Sequence, residues 1–317
     1  MEDPRVAFSL FGIAVHWYGI IIAAGLITGV ILGVREAKRR GYRSDLVLDF
    51  MLIAIPVCIV CARLYYVIPM WQEYSYDLLR VFAVWEGGLA IYGAVIGGVI
   101  AAFIFYKWRK VPIGDMMDIA APSLIIGQAI GRWGNFVNQE AFGNAVTNPG
   151  LQWFPYSVYI DRLGGWYQAT FFYESVWNFI AFAVLMIMRK RIKVRGGVFA
   201  LYLAFYGFGR FFIEQLRSDS LMAGSARISQ WLSLVLVVIG IVYLIIMSKR
   251  KKEYPAYDGL YSLAWSDEQV EEYKKRKKIK DKEQPEAETQ AAEEKKEEAK
   301  PRARKNAKGS KEEDSKE

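Results

Sequence analysis

Apolar positions along the first 248 residues come in long unbroken runs, and polar positions are gathered into short stretches between them. Seven runs fall at about 16–34, 46–67, 89–106, 113–131, 170–188, 197–215 and 228–248. Each is near the ~20 residues a helix needs to cross a bilayer. Only helices and closed barrels satisfy every backbone group inside hydrocarbon, and these runs are too long for barrel strands. The pattern therefore predicts an all-α integral membrane protein with seven transmembrane helices. Glycines recur at intervals of four within two of the runs, at Gly25, Gly29 and Gly33 and at Gly93 and Gly97. Small residues at that spacing let membrane helices pack closely.

Average composition hides this organisation. The 317 residues are 53% hydrophobic with a net charge of +8, which alone would suggest a slightly basic globular protein. Residues 249–317, however, hold 20 basic and 18 acidic side chains and few apolar ones. Such a tail buries too little surface to fold alone. It is read as a disordered cytoplasmic extension, with a helix expected near SDEQVEEYKKRKKIK whose basic end suits anionic lipid. Residues 1–248 form the membrane domain. Its N-terminus, MEDPRVAFSLFG, lacks the basic start of a cleavable leader, and none is expected.

Charge also orients the chain. The segments 35–43, 107–110, 189–195 and 248–252 carry 17 basic residues, whereas the alternate segments hold only Arg5, Arg80, Arg132, Arg162, Arg217 and Arg227. Positive charge favours the cytoplasmic side. The N-terminus is thus expected outside and the C-terminus in the cytoplasm. The longest outer segment, about 132–169, contains Pro149, Pro155, Gly164 and Gly165 with many aromatics, among them Trp133, Trp153, Trp166 and Tyr167. It is expected to form a small external head near the lipid headgroups.

Ionisable groups within spans cost about 2.5–3.5 kcal/mol each even on the gentler insertion scale, so they are functional candidates. Tyr206, Arg210, Glu214 and Arg217 share one face of the sixth span, and Arg210 can pair with Glu214. Arg63, Arg132, Glu174, His16, Tyr18 and Tyr92 all fall near the outer ends of other spans. Arginines gathered in one layer suit an anion, because the guanidinium fork matches phosphate oxygens. A phosphate reached from within the outer leaflet is most simply a phospholipid headgroup, and Asn135 and Asn138 suit glycerol-like hydroxyls. The single histidine excludes a multi-histidine metal site. Cys58 and Cys61 lie inside an apolar span and read as packing residues. No cofactor, metal or nucleic-acid partner is expected.

The stretch GRWGNFVNQEAFG, residues 131–143, resembles the signature of the prolipoprotein diacylglyceryl transferase family, matching G-R-x-G-N-F-hydrophobic-N-x-E-x-x-G at every fixed place. Further likeness lies in HWYG at 16–19, ARLYYV at 62–67, WEGG at 85–88, FFYE at 171–174 and YGFGRFFIEQLR at 206–217, over about residues 8–248. The resemblance implies seven membrane helices with a small external head in the bacterial cytoplasmic membrane. It implies transfer of the diacylglyceryl group of phosphatidylglycerol to the lipobox cysteine following a prolipoprotein signal peptide. A thioether would form and glycerol 1-phosphate would leave, as the first step of lipoprotein maturation.

Carried over by position, the family's important residues fall on Tyr18, Arg132, Asn135, Glu140, Gly143, Tyr206, Arg210 and Glu214. Arg132 and Arg210 are expected to hold the phosphate. Asn135, Asn138, Glu140, Gly143, Tyr206, Glu214 and Arg63 are expected at the substrate, with Tyr18 among the catalytic candidates. This chain departs from the family at two histidine places, where it has Tyr92 and Gln168. The proton acceptor is left open between Tyr92 and His16. An anionic-lipid transporter and a noncatalytic scaffold are the alternatives, and formation of a thioether separates them.

Overall fold

The computed structural model describes residues 5–10, 13–218, 222–223 and 226–249, so the charged tail and its expected helix lie outside the described residues. A pair of strands, β1 (Val6–Leu10) and β2 (Ile13–His16), leads into α1 (Trp17–Arg39). Next come α2 (Asp45–Val67), a single turn α3 (Trp71–Tyr74), α4 (Ile91–Arg109) and α5 (Ile113–Val137). A hairpin of β3 (Ser157–Ile160) and β4 (Gly165–Gln168) precedes α6 (Thr170–Met188) and α7 (Gly197–Leu216). The short pair β5 (Met222–Ala223) and β6 (Ala226–Arg227) opens onto α8 (Ile228–Lys249). Among the described residues, seven helices are long and apolar enough to cross a membrane: α1, α2 and α4 to α8.

Two local features differ from the sequence expectation. The described residues are not purely helical, since three antiparallel strand pairs sit at helix ends among them. Strands of two to five residues carry too few apolar positions to stand out beside twenty-residue runs. Helices also outlast their apolar runs. α1 continues through the basic stretch to Arg39, where Lys38 and Arg39 sit in the last turn and favour the negative end of the helix dipole. α5 continues to Val137, so the first half of the GRWGNFVNQEAFG stretch is helix.

α5 is the hub, packing against α1, α6 and α7, while α2 pairs with α4 and α7 with α8. The periodic glycines explain two of these contacts. A Cβ on Gly29 would come within 3.2 Å of the Ser123 carbonyl of α5, and one on Gly97 within 2.7 Å of the Cys58 Cα of α2. Backbone thus touches backbone along both seams, which maximises dispersion contact where lipid removes any hydrophobic drive between helices. Cys58 and Cys61 are free, and both lie on the α2 face that Gly93 and Gly97 pack against.

At the bundle end that carries the basic loops, buried acids are paired. Glu36 accepts from Arg39 at 2.8 Å, Arg40 at 2.7 Å and Arg189 at 2.5 Å. Arg40 also reaches Asp118 at 3.3 Å. Asp118 in turn accepts from the backbone N–H groups of Gly196 and Phe199, each at 2.9 Å. A carboxylate from α5 therefore caps α7, neutralising orphan donors and the positive end of its dipole. This network fixes the register of α7 against α5, and the opposite ends of those helices carry the residues described next.

Candidate active site

The GRWGNFVNQEAFG stretch spans a helix end. Arg132 and Asn135 are three residues apart in α5 and share a face, with Arg132 Nη1 donating to Asn135 Oδ1 at 3.3 Å. Asn138 closes the helix. The chain then turns sharply through Gln139 and Ala141, whose φ values of 50° and 54° lie in the left-handed region. That turn swings Glu140 back onto the helix end, where its Oε1 accepts from Asn135 Nδ2 at 2.9 Å and from Asn138 Nδ2 at 3.4 Å. Gly143 follows, bridging to Arg217 and donating its N–H to the Gln168 carbonyl at 2.9 Å. A Cβ there would meet the Leu216 carbonyl at 2.7 Å and Gln168 Cβ at 2.8 Å. Only glycine lets the chain pass between the end of α7 and β4.

Arg132 is also paired on its other terminal nitrogen. Its Nη2 donates to Glu174 Oε1 at 2.6 Å, and Arg210 Nη1 donates to Glu174 Oε2 at 2.8 Å. One carboxylate of α6 thus bridges arginines from α5 and α7, using one oxygen for each. Arg210 also pairs with Glu214 at 2.7 Å. The Glu174 side chain is 4% exposed and Glu214 1%, against 21% for Arg132 and 13% for Arg210. The acids lie behind, and the guanidinium groups face the more open side. Each guanidinium has more N–H donors than these bonds use.

Tyr206, one turn before Arg210, stacks on Tyr202 with ring centroids 5.8 Å apart. It lies within electrostatic reach of Glu174, Arg210, Arg132 and Tyr92. Arg217 lies within reach of Glu174, and Arg227 donates through Nη1 to the Glu214 carbonyl.

Tyr18 of α1 packs against α5. A Cβ on Gly134 would strike its ring at 2.7 Å, so the ring rests directly on the α5 backbone beside Asn135. Tyr92 stands at the first turn of α4, its hydroxyl 3.1 Å from Ser229 Oγ. The other expected residues are elsewhere. His16 ends β2, exposed, and makes no side-chain capping bond to α1. Arg63 is buried and donates to four carbonyls, those of Arg80 at 2.6 Å, Val81 at 2.9 Å, Gly87 at 2.7 Å and Gly88 at 3.2 Å. Its guanidinium ties down the α2–α4 connection. Among the described residues, no group of three or more His, Cys, Asp and Glu side chains could hold a metal ion.

Sequence reading named Glu174 only as one member of a polar layer, yet it is the residue on which the two arginines meet. Its signal was present: a carboxyl group inside an apolar span, within FFYE. Glu36, Asp115 and Asp118 are buried acids that no motif in the sequence marks.

A family model for prolipoprotein diacylglyceryl transferase matches residues 5–246. The chain is 47% identical over 261 residues to the phosphatidylglycerol–prolipoprotein diacylglyceryl transferase of Limosilactobacillus reuteri (strain DSM 20016), covering 80% of this chain and 93% of the relative. It is 46% identical over 261 residues to the protein of that name from Streptococcus suis (strain 05ZYH33), covering 80% and 96%. The corresponding Halalkalibacterium halodurans protein is 47% identical over 245 residues, covering 75% and 85%.

Proposed function

The chain belongs to the prolipoprotein diacylglyceryl transferase family, and from that premise we propose that it carries the diacylglyceryl group of phosphatidylglycerol to the lipobox cysteine of a bacterial prolipoprotein. It is a multi-pass membrane enzyme of the transferase class. In the proposed step a C–S bond forms between the cysteine sulfur and the glycerol carbon that bears the phosphate. The C–O bond to phosphate breaks, its electron pair leaves with the oxygen, and glycerol 1-phosphate departs with the proton the thiol has lost. No atom changes oxidation state, so the displacement needs no redox cofactor.

One observation carries this reading: Arg132 and Arg210 converge on opposite oxygens of buried Glu174, with their open sides free to meet an anion. Fixed donors of that kind stabilise negative charge building on the leaving phosphate without reorganising during the reaction. Asn135 and Glu140 orient Arg132 and the headgroup, and Glu214 orients Arg210. The thiol proton is assigned to Tyr92 in preference to His16, because the Tyr92 hydroxyl is held at the first turn of α4 by Ser229 whereas His16 ends β2, exposed. The Tyr92 hydroxyl accepts that proton as it donates its own toward the departing phosphate. The site belongs to the outer leaflet of the cytoplasmic membrane, with the N-terminus outside and the α5–α6 connection as an external head.

Purified Arg132→Ala and Asn135→Ala proteins, inserted normally into membranes, are expected to form no thioether from phosphatidylglycerol and a cysteine-containing precursor peptide. Removing one such donor typically costs about 10²–10³ in rate. Wild-type transfer by either variant rejects its assignment.

A further inference from the structure

We propose that Ser229 of α8 is a positioning residue of the transfer reaction, whose hydroxyl donates to the Tyr92 hydroxyl and holds it in place for the proton step. This rests on the assignment of the thiol proton to Tyr92. The two oxygens lie 3.1 Å apart, and both residues are half-buried. Ser229 falls outside the GRWGNFVNQEAFG and YGFGRFFIEQLR stretches, at the start of a largely apolar helix.

Tyr92 and the arginines belong to different parts of the bundle. Tyr92 is the second residue of α4, a helix seated on α2, where a Cβ on Gly93 would lie 2.7 Å from the Ala62 Cα. Arg132 and Arg210 come from α5 and α7. α8 is seated on α7 in the same close manner. A Cβ on Gly207 would meet the Ser233 carbonyl at 2.6 Å, and Gly207 directly follows Tyr206. Ser233 Oγ donates to the Ser229 carbonyl at 2.7 Å, one turn earlier, so the start of α8 is tied to a helix that carries the site. The bond between Tyr92 and Ser229 thus links the α2–α4 pair to the helices that bear the arginines.

The proton step sets the direction of this bond. A phenol oxygen has one proton to donate and two lone pairs that accept. In the proposed reaction one lone pair takes the thiol proton, while the phenol's own proton passes to the departing phosphate oxygen. The second lone pair is left for the Ser229 hydroxyl, which keeps its proton throughout. Tyr92 ends the step as a phenol again. A bond at the hydroxyl end restrains the whole ring and aims the lone pair that meets the sulfur, and alignment of this kind is worth far more than simple encounter.

The test measures steady-state transfer by full-length protein in liposomes containing phosphatidylglycerol, with a cysteine-containing precursor peptide as acceptor. Ser229→Ala is expected to lower kcat about 10- to 100-fold, the scale on which small misplacements act. The KM for phosphatidylglycerol should stay unchanged, because the arginines are untouched. Ser229→Thr keeps the hydroxyl and is expected to recover most of the loss. In a Tyr92→Phe protein, whose transfer is already slow, adding Ser229→Ala should cost nothing further, since residues that act as a unit are not additive. A serine that only supported the fold would slow both backgrounds by the same factor. Three results overturn the positioning role: wild-type kcat in the Ser229→Ala protein, equal losses for alanine and threonine, or the same fold loss in both backgrounds. With Tyr92→Phe slow, each of them leaves the Tyr92 assignment standing. Wild-type transfer by the Tyr92→Phe protein overturns that assignment, and the role of Ser229 with it.

Discussion

Two guanidinium groups placed side by side repel, and Arg132 and Arg210 can stand together because each donates to a different oxygen of Glu174. In the proposed site Glu174 is thus a positioning residue: it sets the spacing of the pair and would leave their other donors to the substrate. Glu174→Gln keeps the shape and removes the charge that draws both arginines inward. A misplacement of ~1 Å typically costs about 10²-fold in rate. The variant is expected to lose about that much kcat without a higher KM for phosphatidylglycerol, measured by steady-state transfer kinetics. A residue that merely supported the fold would lower the amount of active protein and leave kcat per active site intact. Glycine carries equally specific information nearby. Gly143→Ala drives a methyl group into the Leu216 carbonyl and Gln168, so it should misplace the turn that returns Glu140 to Asn135.

Helices in this bundle are located by backbone contacts and by end-capping charges. Gly97→Leu forces α4 away from α2, because even a Cβ would lie 2.7 Å from Cys58 Cα. Overpacking of this kind costs about 1–3 kcal/mol, and a lower thermal midpoint in detergent measures it. Asp118→Ala acts on a different seam. It strips the acceptor from the Gly196 and Phe199 N–H groups and from buried Arg40. Leaving buried donors unsatisfied costs about 1–3 kcal/mol per group, so the midpoint falls here too. Since α7 carries Tyr206, Arg210 and Glu214, loosening its start also disturbs the far end of the helix, and transfer should decline along with stability.

At the scale of the molecule, the charge asymmetry between connections predicts a testable topology. A cysteine replacing exposed Leu163 in the α5–α6 connection should react with a membrane-impermeant maleimide on intact cells. One replacing Lys190 between α6 and α7 should react only after permeabilisation. The reverse labelling pattern rejects the orientation. The family match ends at residue 246, so a chain stopped after Lys249 is expected to keep wild-type kcat and KM in liposomes.

The sequence by itself determined the seven apolar spans, and it set the expected side of each loop and the expected phosphate chemistry. Each follows from local properties: run length against bilayer thickness, loop charge, and arginine confined to an apolar segment. It also marked Arg132, Asn135, Glu140, Arg210 and Glu214, since their motif lies in two short stretches. Tertiary structure alone decided that Glu174 of α6 is the meeting point of α5 and α7, because that depends on three helices separated by tens of residues sharing one level. It alone placed Arg63 on the carbonyls of the α2–α4 connection. Span composition records which polar groups are buried, and only packing decides which of them face one another.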